Sequence, residues 1–110
     1  MAIYSNLTID QGSTFKANID VTDSDGNALN LAGYTVAGQL RKNFNSSTAV
    51  DFTASVTNAT DGTIQISLSA TQTNSLKAGR YVYDVEITTG SEITRVIEGQ
   101  IEVTPGVTRP

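Results

Sequence analysis

Leu76-Lys77-Ala78-Gly79-Arg80-Tyr81-Val82-Tyr83 is the stretch on which the fold turns. From Arg80 to Thr88 the residues Tyr81, Tyr83, Val85 and Ile87 alternate with Arg80, Val82, Asp84 and Glu86. A strand with one face buried sends every second side chain inward, so this segment reads as a half-buried strand entered through a turn at Gly79. Just upstream, Ser69 to Ala78 loses the alternation and carries Leu76 as its only large apolar side chain. It reads as one helical turn crossing between two sheets. Downstream, Thr89-Gly90-Ser91-Glu92 turns into a last strand, Ile93 to Val103, with Ile97 and Ile101 on its apolar phase.

Working outward, the same period recurs. Ile3 to Asp10 reads as a first strand broken by Gln11-Gly12-Ser13, and Thr14 to Asp23 puts Phe15, Ala17, Ile19 and Val21 on one face. Asp23 to Asn27 supplies a turn, because Asp and Asn tolerate a left-handed backbone and Gly26 adopts it without steric cost. Leu29 and Leu31 mark a short extended piece, and Tyr34 to Lys42 reads as a central strand followed by the polar loop Asn43 to Thr48. Val50 to Thr57 and Ile64 to Leu68 read as a hairpin across Asp61-Gly62.

Seven to eight short antiparallel strands without a long helix describe an all-β sandwich. The crossover makes it immunoglobulin-like: in such domains a Tyr stands two residues before the core position of the sixth strand and its hydroxyl ties the corner down. Tyr81 takes the corner position, Tyr83 the core position, and Leu76 and Gly79 frame the turn. Two ordinary strand aromatics would give the same spacing. The domain is assigned to residues 1–104, and 105–110 to an extended C-terminal tail.

Composition narrows the chemistry. With 110 residues there is room for one domain, whose core leaves little space for a deep internal site. No Cys is present, so disulfides, thiolate metal sites and cysteine nucleophiles are excluded, and no His is present, which removes the commonest general base. A net charge of -4 with scattered Lys and Arg argues against nucleic acid as a partner. No apolar run reaches the length of a membrane span, and Met1 to Tyr4 lacks the marks of a secretory signal, so synthesis in the cytoplasm with no membrane partner is expected.

Several local patterns have ordinary explanations. Asp23, Asp25 and Asn27 alternate as calcium ligands do, but the sixth and twelfth positions of such a loop hold Ala28 and Tyr34, so a hairpin turn accounts for them. Asp84 and Glu86 share the polar face of a strand, where a catalytic carboxylate pair would need a cleft. Asn6-Leu7-Thr8, Asn45-Ser46-Ser47 and Asn58-Ala59-Thr60 match a glycosylation acceptor by chance in a chain rich in Asn and Thr. No catalytic, cofactor-binding or metal-binding residue is assigned, and no cofactor is expected.

Two segments are candidates for assembly. The first strand, with Tyr4, Leu7 and Ile9, bears no charge before Asp10 and can pair through its edge, unless the chain's own tail covers it. The tail, with Pro105, Val107 and Arg109, cannot continue as a central strand and reads as a free end or as an arm against a neighbour.

Four segments carry a resemblance: Tyr4 to Phe15, Leu31 to Val36, Gly79 to Glu86, and Glu98-Gly99 through Thr108-Arg109. In order and spacing they resemble the small immunoglobulin-like virion structural proteins of tailed bacteriophages, cyanophage baseplate-plug proteins above all. The resemblance implies a non-enzymatic structural component of a phage virion, made in the host cytoplasm. It also implies a place in the tail baseplate or hub, in several copies per particle, with other virion structural proteins as partners. Capsid decoration, or recognition of a host-surface glycan by the Asn43 to Thr48 loop, is the alternative role.

Overall fold

The computed structural model describes residues 3–107. Its elements in chain order are β1 (Ile3–Tyr4), β2 (Leu7–Asp10), β3 (Phe15–Asp20), β4 (Thr35–Arg41), β5 (Val50–Asp51), β6 (Thr53–Asn58), β7 (Thr63–Leu68), α1 (Ala70–Asn74), β8 (Gly79–Thr89) and β9 (Glu92–Thr104). The larger sheet runs β1-β9-β8-β4-β5, with β2 also on β9, and the smaller runs β3-β7-β6. Face to face they form the immunoglobulin-like sandwich.

Strand alternation builds the core directly. Tyr81, Tyr83, Val85 and Ile87 of β8, Ile64, Ile66 and Leu68 of β7, and Ile101 and Val103 of β9 all point between the sheets and are buried. Each such side chain contributes roughly 1.5–3 kcal/mol by leaving water. Between Val85 and Glu86 the pairing with β9 shifts, so that Ile97 faces Val85 and Arg95 faces Glu86. Val96 is the extra residue of this bulge, which is why Val96 and Ile97 are both buried although adjacent.

Three expectations are corrected. First, the strands are not all antiparallel: β1 and β2 run parallel to β9, from Ile3 beside Ile97 to Asp10 beside Thr104. A parallel pair needs a long connection, and here nearly the whole domain lies between β2 and β9. Second, the run from Val50 to Thr57 is not one strand of one hairpin. Val50–Asp51 pairs with β4 in the larger sheet, whereas Thr53–Asn58 pairs with β7 in the smaller.

The change of sheet happens at Phe52, whose N–H donates to the Gly38 carbonyl at 2.9 Å. Its ring lies 6.2 Å from Phe15 of the smaller sheet and 6.3 Å, edge to face, from Tyr83 of the larger. A Cβ at Gly38 would come within 3.1 Å of that ring, so the glycine makes room for it. Third, the first strand is interrupted at Ser5-Asn6. Counting β1–β2 and β5–β6 as one run each leaves seven runs.

The crossover before β8 is α1. Ser69 caps it, accepting from the Gln72 N–H, while the Gln72 side chain accepts from the Ser69 N–H at 2.9 Å. This reciprocal cap satisfies helix-end donors that a single turn otherwise leaves unpaired.

Candidate functional site

The N-terminal edge of the larger sheet is the part of the surface best built for a partner. Ser5 N–H donates to Glu98 O at 2.8 Å and Gln11 N–H to Thr104 O at 3.0 Å. Backbone direction alternates along a strand, so the odd-numbered residues from Ile3 to Gln11 face β9, and Tyr4, Asn6, Thr8 and Asp10 face outward. The Asp10 carbonyl is taken by the Ser13 N–H at 3.0 Å. Among the described residues β1 and β2 pair only with β9, so no described strand lies along their other side.

Among the described residues the other three sheet edges are guarded. β3 bears Lys16 and Asp20, both exposed. β5 is two residues long and bears Asp51. β6 is broken by a register shift between Val56 and Asn58. Charges, shortness and bulges are the devices that keep edges from pairing. The N-terminal edge is short as well, with two residues in β1 and four in β2, but it carries no charge from Ile3 to Ile9 and exposes Ile3 and Tyr4, at 54% and 65%.

This edge is held by an unusual set of contacts at its break. The Tyr83 hydroxyl reaches through the core edge to donate to Ser5 O at 2.7 Å. Gln100 N–H donates to the Asn6 Oδ1 at 3.1 Å, so a side chain takes the place of a main-chain acceptor. A Cβ at Gly99 would collide with Ser5 O, which makes glycine the residue that lets the chain approach so closely. Burial pushes the Tyr83 hydroxyl up to about 12, against the opposing effect of its bond to Ser5.

Gln11 links three segments. Its Nε2 donates to Leu76 O at 2.8 Å, and its Oε1 accepts from Gly106 N–H at 3.1 Å. The wholly buried Thr73 hydroxyl of α1 accepts from Gly12 N–H at 3.1 Å and donates to Ser13 O at 2.8 Å. In the sequence Gln11 belongs to the break after the first strand. The signal for its role was an amide with both donor and acceptor beside a turn, a pattern too common to stand out.

The singled-out residues fall into separate places. The Tyr81 hydroxyl donates to Lys77 O at 2.8 Å, beneath the Lys42 Nζ 5.0 Å above its ring. Leu76 is buried and Gly79 opens β8. Of the assembly candidates, Ile9 is wholly buried and Leu7 partly so, hence neither side chain is free to form a contact surface, because both lie on the inward phase of β2. Tyr4, Pro105 and Val107 are exposed, and Arg109 lies outside the described residues. Residues 105–107 pass beside the Asp10–Ser13 turn and leave the edge at Tyr4 to Thr8 uncovered.

Asp84 and Glu86 lie on the outer face of β8, in a shallow depression of about 330 Å³ that Gln39, Arg41, Phe44 and Arg95 also line. Arg95 meets Asp84 at 3.2 Å and Glu98 at 3.5 Å. The arrangement is an ion-paired sheet face, not a cleft that desolvates one acid. Phe44 stands 84% exposed at its rim, on a loop tied back by Arg41 Nη1 donating to Ser46 O at 2.6 Å. Asp23 Oδ1 accepts from the N–H groups of Asp25 and Asn27, which accounts for that turn without a cation. Among the described residues no group of three or more acidic side chains is placed to hold a metal ion, and no helix is long and apolar enough to cross a membrane.

No protein-family model matches the chain, and no curated protein matches its sequence. Solved structures align with most of the chain. The crystal structure of Listeria monocytogenes InlP aligns over 94% of this chain with a TM-score of 0.52 at 16% identity, and the chain spans 28% of that protein. AggA, the major subunit of aggregative adherence fimbriae type I from Escherichia coli, aligns over 90% of this chain and 89% of its own at 14% identity, with a TM-score of 0.43. A structure used to study multimeric cell-adhesive interactions of VGSC beta subunits aligns over 92% of both chains at 15% identity, with a TM-score of 0.45. At 16% identity the InlP likeness is one of fold alone.

Proposed function

We propose that this protein is a non-enzymatic structural component of a tailed-phage virion, an assembly module of the tail baseplate or hub. The observation that supports this most is where the resembling segments meet. Tyr4 to Phe15, Gly79 to Glu86 and Glu98 to Val107 lie far apart in sequence, yet Ser5, Tyr83 and Gly99 converge at one point of the edge. Gln11 and Gly106 converge a few residues along. The residues that carry the resemblance thus serve to fix one open strand edge and the start of the tail, which is what an assembly module requires and what a catalyst does not.

Its partners are other virion proteins, its location is the particle, and its copies are several. The test is cross-linking and cryo-electron microscopy of purified particles. Density for this sandwich at the tail baseplate is the expected result. Density on the head moves the role to capsid decoration, and absence from purified particles overturns the proposal.

A second reading has one observation in its favour, the exposed Phe44 above the polar depression on the outer sheet face. Aromatic faces beside amide, guanidinium and carboxylate groups suit a sugar ring, so the Asn43 to Thr48 loop is a candidate glycan contact. Glycan-array binding by the isolated protein that disappears in Phe44→Ala supports it, and no binding removes it.

A further inference from the structure

We infer that the turn at Asp25-Gly26 is a site of spontaneous backbone modification, where Asp25 isomerises through a cyclic imide to isoaspartate while the protein stays folded. The inference goes beyond the assembly reading and does not rest on it. The chain holds two Asp-Gly pairs, Asp25-Gly26 and Asp61-Gly62. Such a pair is the sequence most open to this reaction, because glycine puts no side chain beside its own main-chain nitrogen. In sequence the two pairs are equal, and the fold separates them.

The reaction is a condensation followed by a hydrolysis. The Gly26 nitrogen attacks Cγ of Asp25, an N–Cγ bond forms, and a Cγ–O bond of the carboxyl group breaks. The amide proton and the carboxyl hydroxyl leave as one water, closing a succinimide ring. Water then adds to one of the two imide carbonyls. Opening at Cγ restores Asp, whereas opening at the main-chain carbonyl leaves the chain running through Cβ and Cγ, one methylene longer, with a free α-carboxylate. No oxidant or reductant takes part, and the net charge is unchanged.

The surroundings of Asp25 permit this. Asp25 and Gly26 are both exposed, and nothing lies within 4 Å of the place a Gly26 Cβ would take. Among the described residues the Asp25 carboxylate accepts no hydrogen bond and meets no cation. The turn bond from Gly26 N–H to Asp23 O, at 3.1 Å, has to open, and on an exposed surface water replaces it at little net cost. Asp23-Ser24 is not equivalent, since Asp23 Oδ1 is held by the N–H groups of Asp25 and Asn27 at 2.9 and 3.0 Å.

The surroundings of Asp61 oppose it. Gly62 is buried, and a Cβ there would lie 2.6 Å from Val21 O and 2.7 Å from Leu29 O. The Gly62 carbonyl accepts from Val21 N–H at 2.8 Å, and its N–H donates to Ala59 O at 3.2 Å. Asp61 Oδ2 accepts from Asn58 Nδ2 at 3.0 Å, which ties down the carboxylate as well. Closing the imide moves main chain on both sides of the glycine nitrogen. Asp61 therefore reacts only from a locally opened state, and its rate is scaled down by the population of that state.

The test is peptide mapping of the folded full chain after weeks in warm neutral buffer. Trypsin cuts after Lys16, Arg41, Lys42 and Lys77 put the two pairs on separate peptides, 17–41 and 43–77. Isoaspartate is read by methylation with protein isoaspartyl methyltransferase and placed by electron-transfer fragmentation. The expected result is isoaspartate at residue 25, accumulating at least about tenfold faster than at residue 61, with the two rates converging to within about twofold in unfolding guanidinium chloride. Asp25→Glu keeps the charge but needs a larger ring, so it should remove the signal from 17–41 and leave 43–77 unchanged. Equal rates at the two pairs in the folded chain, a ratio that unfolding does not change, or a signal in 17–41 that survives Asp25→Glu overturns the inference.

Discussion

The two edges of the larger sheet solve the same problem in opposite ways. At β5 the chain stays for Val50–Asp51, presents a carboxylate and then leaves through Phe52 for the other sheet. At β1 and β2 it stays from Ile3 to Asp10, uncharged until the end, and no described residue lies beyond it. Edge protection costs nothing at β5, where Phe52 has to be buried between the sheets in any case. The open edge costs more, because it must be held from one side only, and the contacts at Ser5, Asn6, Tyr83 and Gly99 supply that hold.

The difference can be broken most strongly from inside the open edge. Ile9→Ala removes a wholly buried side chain and should cost about 3 to 4 kcal/mol in urea unfolding, whereas Tyr4→Ala on the same edge should change stability by less than about 0.5 kcal/mol. Gly99→Ala forces Ser5 O away from its place, for about 2 to 3 kcal/mol, and should also loosen the amide protons of Ser5 and Leu7 in hydrogen exchange. Protection of Leu7 equal to wild type would show that another contact holds the strand.

Tyr83→Phe is a milder cut. It leaves Ser5 O without its hydroxyl donor and should cost about 1 kcal/mol at neutral pH. It also changes the alkaline limb. The folded protein holds the Tyr83 proton up to about 12, above the ordinary 10.0, so the folded state binds that proton more tightly than the unfolded chain. The associated stability is complete below pH 10.0 and drains away as the pH rises towards about 12. Urea melts between those values should fall more steeply for wild type than for Tyr83→Phe, and parallel curves would show that the hydroxyl is not the buried group responsible.

The smallest effect belongs to the other edge. Asp51→Val removes the carboxylate from β5 and its 2.6 Å bond from Gln39, on an exposed surface. Stability should move by less than about 0.5 kcal/mol. Sedimentation should show no new association, since β5 offers only two residues to pair. Association of this variant would mean that charge, rather than length, guards β5.

Strand positions and inward phases were legible because burial repeats every second residue, and Tyr81, Tyr83, Val85 and Ile87 follow that period without a break. The bulge at Val96 was not, since one extra residue leaves the local composition of β9 unchanged. Nor was the sheet change at Phe52, where Val50, Phe52, Ala54 and Val56 keep one phase throughout, as a single strand would. Of the candidate site, the uncharged run from Tyr4 to Ile9 could be read directly. The buried state of Ile9 followed from the same alternation that called attention to the strand, and it removes that side chain from any contact surface.

By itself, the sequence determined an all-β sandwich with a crossover at Ser69 to Gly79 and an N-terminal strand without charge, because alternation and charge are properties of neighbours along the chain. Only the tertiary structure decided that this strand runs parallel to β9, that Gly99 and Tyr83 hold its break, and that Gln11 joins turn, crossover and tail. Those contacts join residues as many as 95 positions apart, and pairing over such distances is set by how the two sheets close on one core.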